Sequence, residues 1–182
     1  MLANKLLLGR RFFLYLGFPS LLLVSFYIFL QLAYNQGYRI NFTRSMPLGV
    51  YKIHSGPEKF QRGDQVIFCL PKEILPKEVN LPKGDSCSSG ALPFLKEIIA
   101  VPGDHVQVLA AGVVVNGVLI NQTTCSAATG LSCMGYQQTL PEGMYWVFGS
   151  GHMRSLAKHS FDSRYFGPIS IETIQGTAVK LL

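Results

Sequence analysis

A serine, a lysine and an aspartate are the residues of this sequence best suited to act together. Ser45 lies in Asn41-Phe-Thr-Arg-Ser-Met-Pro-Leu-Gly49, ahead of a turn formed by Pro47 and Gly49. Lys96 lies in Phe94-Leu-Lys-Glu-Ile-Ile-Ala-Val101. Read as a strand, that run puts Phe94, Lys96, Ile98 and Ala100 on one face. An ammonium among apolar neighbours has its charged form penalised, and its pKa falls. A neutral amine near pH 7 can take the proton of a serine hydroxyl. The plain alternative is a lysine that snorkels to water or pairs with a carboxylate, beside a serine that is only a turn hydroxyl. Periodicity by itself favours that alternative.

The third stretch runs from Gly149 to Pro168 and holds Ser160-Phe-Asp162-Ser-Arg164-Tyr-Phe-Gly-Pro168. Gly149 follows an apolar strand, Met144–Phe148, and lets another segment approach closely. Ser160 and Asp162 have the chemistry to orient a neutral lysine. Asp162 and Arg164 could equally form a structural ion pair. A Ser-His-Asp triad using His152 or His159 with Asp162 competes with the Ser/Lys reading, and spacing does not decide between them. Gly63-Asp64 and Gly103-Asp104 read as turns before apolar strands, and His54 and His105 as strand-edge residues.

These groups need elements to bring them together. The first 11 residues carry Lys5, Arg10 and Arg11, and Phe12 to Tyr34 follow without a charge. At ~1.5 Å per residue this apolar run crosses a hydrocarbon core of ~30 Å. It is longer than the core of a cleaved signal peptide, and no clear small-residue cleavage site follows, so an uncleaved anchor is expected. The basic end places residues 1–11 in the cytoplasm, 12–34 in the membrane and 35–182 on the outer face. Beyond residue 35, short apolar or alternating runs are separated by Gly, Pro and Asn, which predicts a mainly β domain. Asn116-Gly117 between Val113–Val115 and Val118–Ile120 is a two-residue hairpin signal. Residues 71–93 and 121–141 read as two long loops.

The chain of 182 residues is 48% apolar with a formal net charge of +6. Its Lys and Arg residues form no run of five or six, so a nucleic-acid partner is not expected, and a basic exterior beside anionic headgroups accounts for the charge. None of the four cysteines has metal-ligand spacing, and no metal or other cofactor is expected. In an exported domain they suggest two disulfides, with sequence neighbours paired as Cys69–Cys87 and Cys125–Cys133. In a cytosolic domain they would be buried thiols.

Ser45-Met-Pro-x-Gly, Gly63-Asp64, Lys96-Glu-Ile-Ile-Ala-Val-Pro-Gly-Asp104 and Ser160-x-Asp-Ser-Arg-Tyr-Phe-Gly-Pro168 occur in the order of the type I signal peptidase family. The resemblance covers most of residues 40–182 and is closest to the small conjugal-transfer, TraF-like branch that matures pilin subunits. It implies a signal-peptidase-like coiled antiparallel β-sheet domain behind one N-terminal transmembrane helix. It implies Ser45 as nucleophile, Lys96 as general base, and an oxyanion hole from the Ser45 N–H and the Thr43 hydroxyl. Ser160 resembles the hydroxyl that orients the lysine, and Asp162 and Arg164 the charge pair near the site. In the conjugal branch the aspartate is a third catalytic member. Met46 is expected to line a substrate subsite.

Departures are visible. The family's Ser-Met-Met-Pro is Ser-Met-Pro, Gly-Asp-Asn-Arg is replaced by Gly149-Ser-Gly-His-Met-Arg, and Ala100 stands for a glycine. With short loops, these imply a specialised peptidase of the bacterial inner membrane acting on a membrane-inserted precursor, with its catalytic domain in the periplasm. Two rivals remain: a non-enzymatic anchored β scaffold of a pilus or secretion apparatus, and a self-cleaving repressor. The latter would need a DNA-binding domain where this chain has an apolar segment.

Overall fold

The computed structural model describes residues 17–75, 81–125, 131–150, 157 and 160–182. The chain divides into two units, Met1–Tyr38 and Arg39–Leu182. In the first, helix α1 (Phe18–Asn35) carries Pro19 in its opening turn, where a missing N–H costs nothing. None of its side chains is buried in the protein. The helix is long and apolar enough to cross a membrane. The expected residues 1–11, and 12–16 of the expected span, lie outside the described residues.

From residue 38 onward the chain forms β1 (Tyr38–Asn41), β2 (Gly49–His54), β3 (Gln65–Phe68), β4 (Phe94–Ala100), β5 (His105–Leu109), β6 (Gly112–Val115), β7 (Val118–Leu119), β8 (Gln137–Thr139), β9 (Met144–Phe148), β10 (Ile169–Ser170) and β11 (Ile174–Lys180). A seven-stranded sheet has the order β1-β2-β11-β3-β4-β9-β10 and a four-stranded sheet the order β7-β6-β5-β8. The fold is mainly antiparallel β, as expected. The predicted hairpin joins β6 to β7, with Val115 opposite Val118. Asn116 and Gly117 have φ of 51° and 81°, the left-handed pair that such a turn requires. Strands β1, β8 and β10 and a one-turn helix α2 (Ser163–Phe166) are not signalled by periodicity.

Two hydrophobic clusters meet along β4 and β9. Val66, Phe68, Ile98, Tyr145 and Val147 belong to one; Ala100, Val106, Val113 and Trp146 belong to the other. The β4–β9 register slips between Ile98 and Ala100, which turns the end of β4 from the first cluster towards the second. The two Gly-Asp turns are tied to each other. Arg62 reaches Asp104 through Nε (2.9 Å) and Nη2, and Asp104 also accepts from the Val101 N–H and the Asn116 amide. Cys69 pairs with Cys87 and Cys125 with Cys133, at Cα separations of 5.6 and 5.8 Å. The expected pairings are therefore the ones formed.

Candidate active site

The turn that carries Ser45 is organised by a residue to which spacing gave no role. Asn41, at the end of β1, donates from Nδ2 to the carbonyls of Thr43 (3.0 Å), Met46 (3.1 Å) and Pro47 (3.0 Å). Its Oδ1 accepts from the Thr43 N–H (3.1 Å) and the Thr43 hydroxyl (2.7 Å). One amide thus fixes the chain on both sides of Ser45, and the Tyr51 hydroxyl adds a bond to the Pro47 carbonyl (2.7 Å). The available signal was Asn-x-Thr, since an asparagine side chain readily bonds backbone two residues on. Thr43 Oγ1 lies 3.3 Å from Ser45 Oγ. With the Thr43 proton given to Asn41, the Ser45 hydroxyl is the donor in this arrangement.

Lys96 sits in β4 opposite Val66 of β3, and it is only 3% exposed. Lys96, Ile98 and Ala100 are buried while Leu95, Glu97 and Ile99 are only partly so. Burial lowers the Lys96 pKa from 10.5 to about 8; Asp162 opposes this shift and Arg164 adds to it. Among the described residues, no carboxylate forms an ion pair with Lys96.

Ser45, Thr43, Lys96 and Ser160 line one cavity of about 780 Å³. Ile40, Phe42, Leu92 and Phe94 are among its apolar walls, and Arg44 is the other charged lining residue among the described residues. Among the described residues, no hydrogen bond joins Ser45 to Lys96, and the buried Ser160 hydroxyl has no partner. Catalytic hydrogen bonds are often long before substrate binds.

Gly149 lets the Ser160 side chain and the Ser45 carbonyl meet at one backbone position. A Cβ there would overlap the Ser160 side chain and stand 2.9 Å from the Ser45 carbonyl oxygen. Only a glycine leaves room at this junction. Its N–H donates to Asp162 Oδ2 (3.2 Å).

Asp162 and Arg164 are both fully buried. Arg164 bonds Asp162 in a fork, Nε to Oδ1 (2.8 Å) and Nη2 to Oδ2 (2.9 Å). It also donates to the carbonyls of Thr124 (Nη1, 2.8 Å), Ala157 (Nη2, 2.8 Å) and Ser160 (Nη2, 3.1 Å). The guanidinium also lies 4.9 Å from the centre of the Phe148 ring. A buried pair of this kind persists because the two charges neutralise each other and each of the three guanidinium nitrogens is hydrogen-bonded. Asp162 therefore meets Gly149 and Arg164, and it is not a wall of the cavity.

Met46 departs from expectation. It is fully buried, it is not a wall of the cavity, and its Sδ accepts from the Ser150 hydroxyl at 3.5 Å. It anchors the Ser45 turn to the core. His152 and His159, the residues of the competing triad, lie outside the described residues.

The chain matches the family model for signal peptidase, peptidase S26, over residues 11–182. It is 30% identical over 148 residues to a conjugal transfer protein TraF of Agrobacterium fabrum, covering 78% of this chain and 80% of that protein. It is 31% identical over 146 residues to a plasmid transfer protein TraF of Escherichia coli, covering 76% and 78%. A solved signal peptidase I of Enterococcus faecalis V583 covers 66% of this chain and 97% of its own, at 24% identity and a TM-score of 0.37. With the family model matched from residue 11 to residue 182, the chain belongs to the signal peptidase family, peptidase S26.

Proposed function

We propose that this protein is a membrane-anchored serine endopeptidase that cleaves membrane-inserted precursors with Ser45 as nucleophile and Lys96 as general base. The observation that carries the reading is the burial of Lys96, without a paired carboxylate among the described residues, in the wall that also holds Ser45. At a pKa of about 8, roughly one Lys96 in ten is neutral at pH 7. A neutral amine takes the Ser45 proton as the hydroxyl attacks the scissile carbonyl. The Ser45 N–H and the Thr43 hydroxyl receive the oxyanion, and loss of one such donor typically costs ~3 kcal/mol. The Thr43 hydroxyl must first turn away from Asn41.

The lysine ammonium returns its proton to the leaving amine, and an acyl-enzyme remains on Ser45. Water then hydrolyses it, or the amino terminus of the same substrate attacks and closes a ring. Ser160 orients the lysine amine. Asp162 and Arg164 act through Gly149 and the local field, as positioning residues. The apolar groove between residues 40–44 and 92–95 suits an extended peptide with small side chains before the cut. Helix α1 anchors the chain with its amino terminus in the cytoplasm and the catalytic unit in the periplasm. Confining enzyme and precursor to one bilayer raises their effective concentration. Similarity to the conjugal and plasmid transfer proteins supports a role in conjugative transfer, and the precursor proposed for it is a pilin.

The test is co-expression with pilin-type precursors and intact-mass analysis. Wild type is expected to give a shortened product, linear or smaller by one further water if cyclic, and Ser45→Ala to leave the precursor whole. Equal processing by both would remove the reading.

A further inference from the structure

The Cys125–Cys133 bridge closes directly beside the Arg164–Asp162 pair. Thr124, next to Cys125, gives its carbonyl to Arg164 Nη1 at 2.8 Å. Met134, next to Cys133, gives its N–H to the Arg164 carbonyl at 2.8 Å. The Arg164 side chain and backbone are therefore held by the two residues that flank the bridge. The bridge fixes the separation of those flanks, with its Cα atoms 5.8 Å apart. Beyond Arg164 the contacts continue through Asp162 to the Gly149 N–H, and Gly149 packs on Ser160 and the Ser45 carbonyl.

We propose that the Cys125–Cys133 disulfide is a clamp on Arg164, and that closing it positions Asp162, Gly149 and Ser160 beside Lys96. The inference rests on the Ser45/Lys96 reading of the site and adds a positioning element to it. Opening the bridge frees the Thr124 carbonyl to leave Arg164 Nη1. A guanidinium with an unmet buried donor draws in water or shifts, and Asp162 is then less well neutralised. Lys96 feels both charges: Asp162 favours its ammonium and Arg164 disfavours it. Weakening the arginine and admitting water both stabilise the ammonium. Among the described residues, the neighbouring strands set no titrating side chain opposite Lys96. Strand β3 places Val66 there, and β9 runs alongside β4 with Val147 and Phe148. Glu97 alternates to the other face of β4, and Arg44 is exposed in the cavity wall. The second bridge, Cys69–Cys87, holds the loop that brings Leu81, Pro82 and Leu92 to the cavity, and the bonds that hold Arg164 come from elsewhere.

The test uses the full chain in detergent micelles as wild type, Cys125→Ser/Cys133→Ser and Cys69→Ser/Cys87→Ser. Lys96 is titrated directly through its Cε carbon shift, assigned by its loss in Lys96→Met. The clamp predicts a midpoint about one pH unit higher in the Cys125/Cys133 variant, a roughly tenfold smaller neutral fraction at pH 7. The midpoint of the Cys69/Cys87 variant moves less, because that bridge touches none of the bonds that hold Arg164. An unmoved midpoint in the first variant, or equal shifts in both, overturns the clamp. The titration needs no turnover, so its result is separate from whether Ser45→Ala abolishes cleavage. If the Cys125/Cys133 variant does not fold, folded Cys69→Ser/Cys87→Ser protein is reduced in place. A dithiol passes two electrons and two protons to the remaining bridge and closes to its own cyclic disulfide. The same rise in midpoint is then expected, and its absence overturns the clamp.

Discussion

Gly149 and Ser160 are in such close contact that a single methyl group on Gly149 would take the place of the Ser160 hydroxyl. The same methyl would press on the Ser45 carbonyl at 2.9 Å, so one backbone position sets the distance between the nucleophile turn and the last motif. Gly149→Ala is expected to lower kcat by about ten- to a hundredfold, with overpacking destabilising the domain by ~1–3 kcal/mol. Precursor turnover and thermal unfolding, measured on the same sample, check both numbers.

The pH dependence of cleavage follows from Lys96. Its pKa of about 8 makes kcat/KM rise with pH through neutrality and level off above about pH 8. A rate set by a histidine base would level off at about pH 6–7. A pH–rate profile with a peptide spanning the cleavage site separates the two.

Lys96 also lowers stability at neutral pH. Its folded pKa is below the ordinary 10.5, so between about 8 and 10.5 the unfolded chain binds more protons and stability rises with pH. Below about 8 the folded state carries the whole penalty of a buried ammonium, on the order of 3 kcal/mol. Lys96→Met is expected to abolish cleavage while raising stability at pH 7 by up to about that amount. Denaturant unfolding at pH 7 and pH 10 checks it: the gain should shrink at the higher pH.

Asn41 should matter as much as the residues it holds. Asn41→Ala removes five hydrogen bonds from the Ser45 turn, and each net bond is worth ~1 kcal/mol at most sites. A drop in kcat of about a hundredfold with little change in KM is expected. Steady-state kinetics of Asn41→Ala beside Asn41→Asp reads this out, since aspartate keeps the acceptor for Thr43 and loses the three donated bonds.

Much of this arrangement is legible in local pattern. The alternation of Phe94–Ala100 puts Lys96 on the buried face, the Asn116-Gly117 pair gives the hairpin, and pairing neighbouring cysteines gives both bridges. What escapes depends on distant segments. Nothing near Arg164 signals that Thr124 and Met134 close around it, because those contacts span tens of residues. Strands β1, β8 and β10 have two to four residues each, too short for a period to emerge. Met46 reads as a subsite residue because it follows Ser45, but the tight turn sends its side chain into the core.

Whether Ser45 is the nucleophile can be read from where the acyl group forms. A precursor peptide is mixed with the full chain in micelles, quenched in acid within one turnover, digested and mapped by mass. The Ser45/Lys96 account predicts an acyl adduct on Ser45 in wild type and none in Lys96→Ala, with that variant still folded. An adduct on another residue, or near-normal acylation of Ser45 without Lys96, would contradict it.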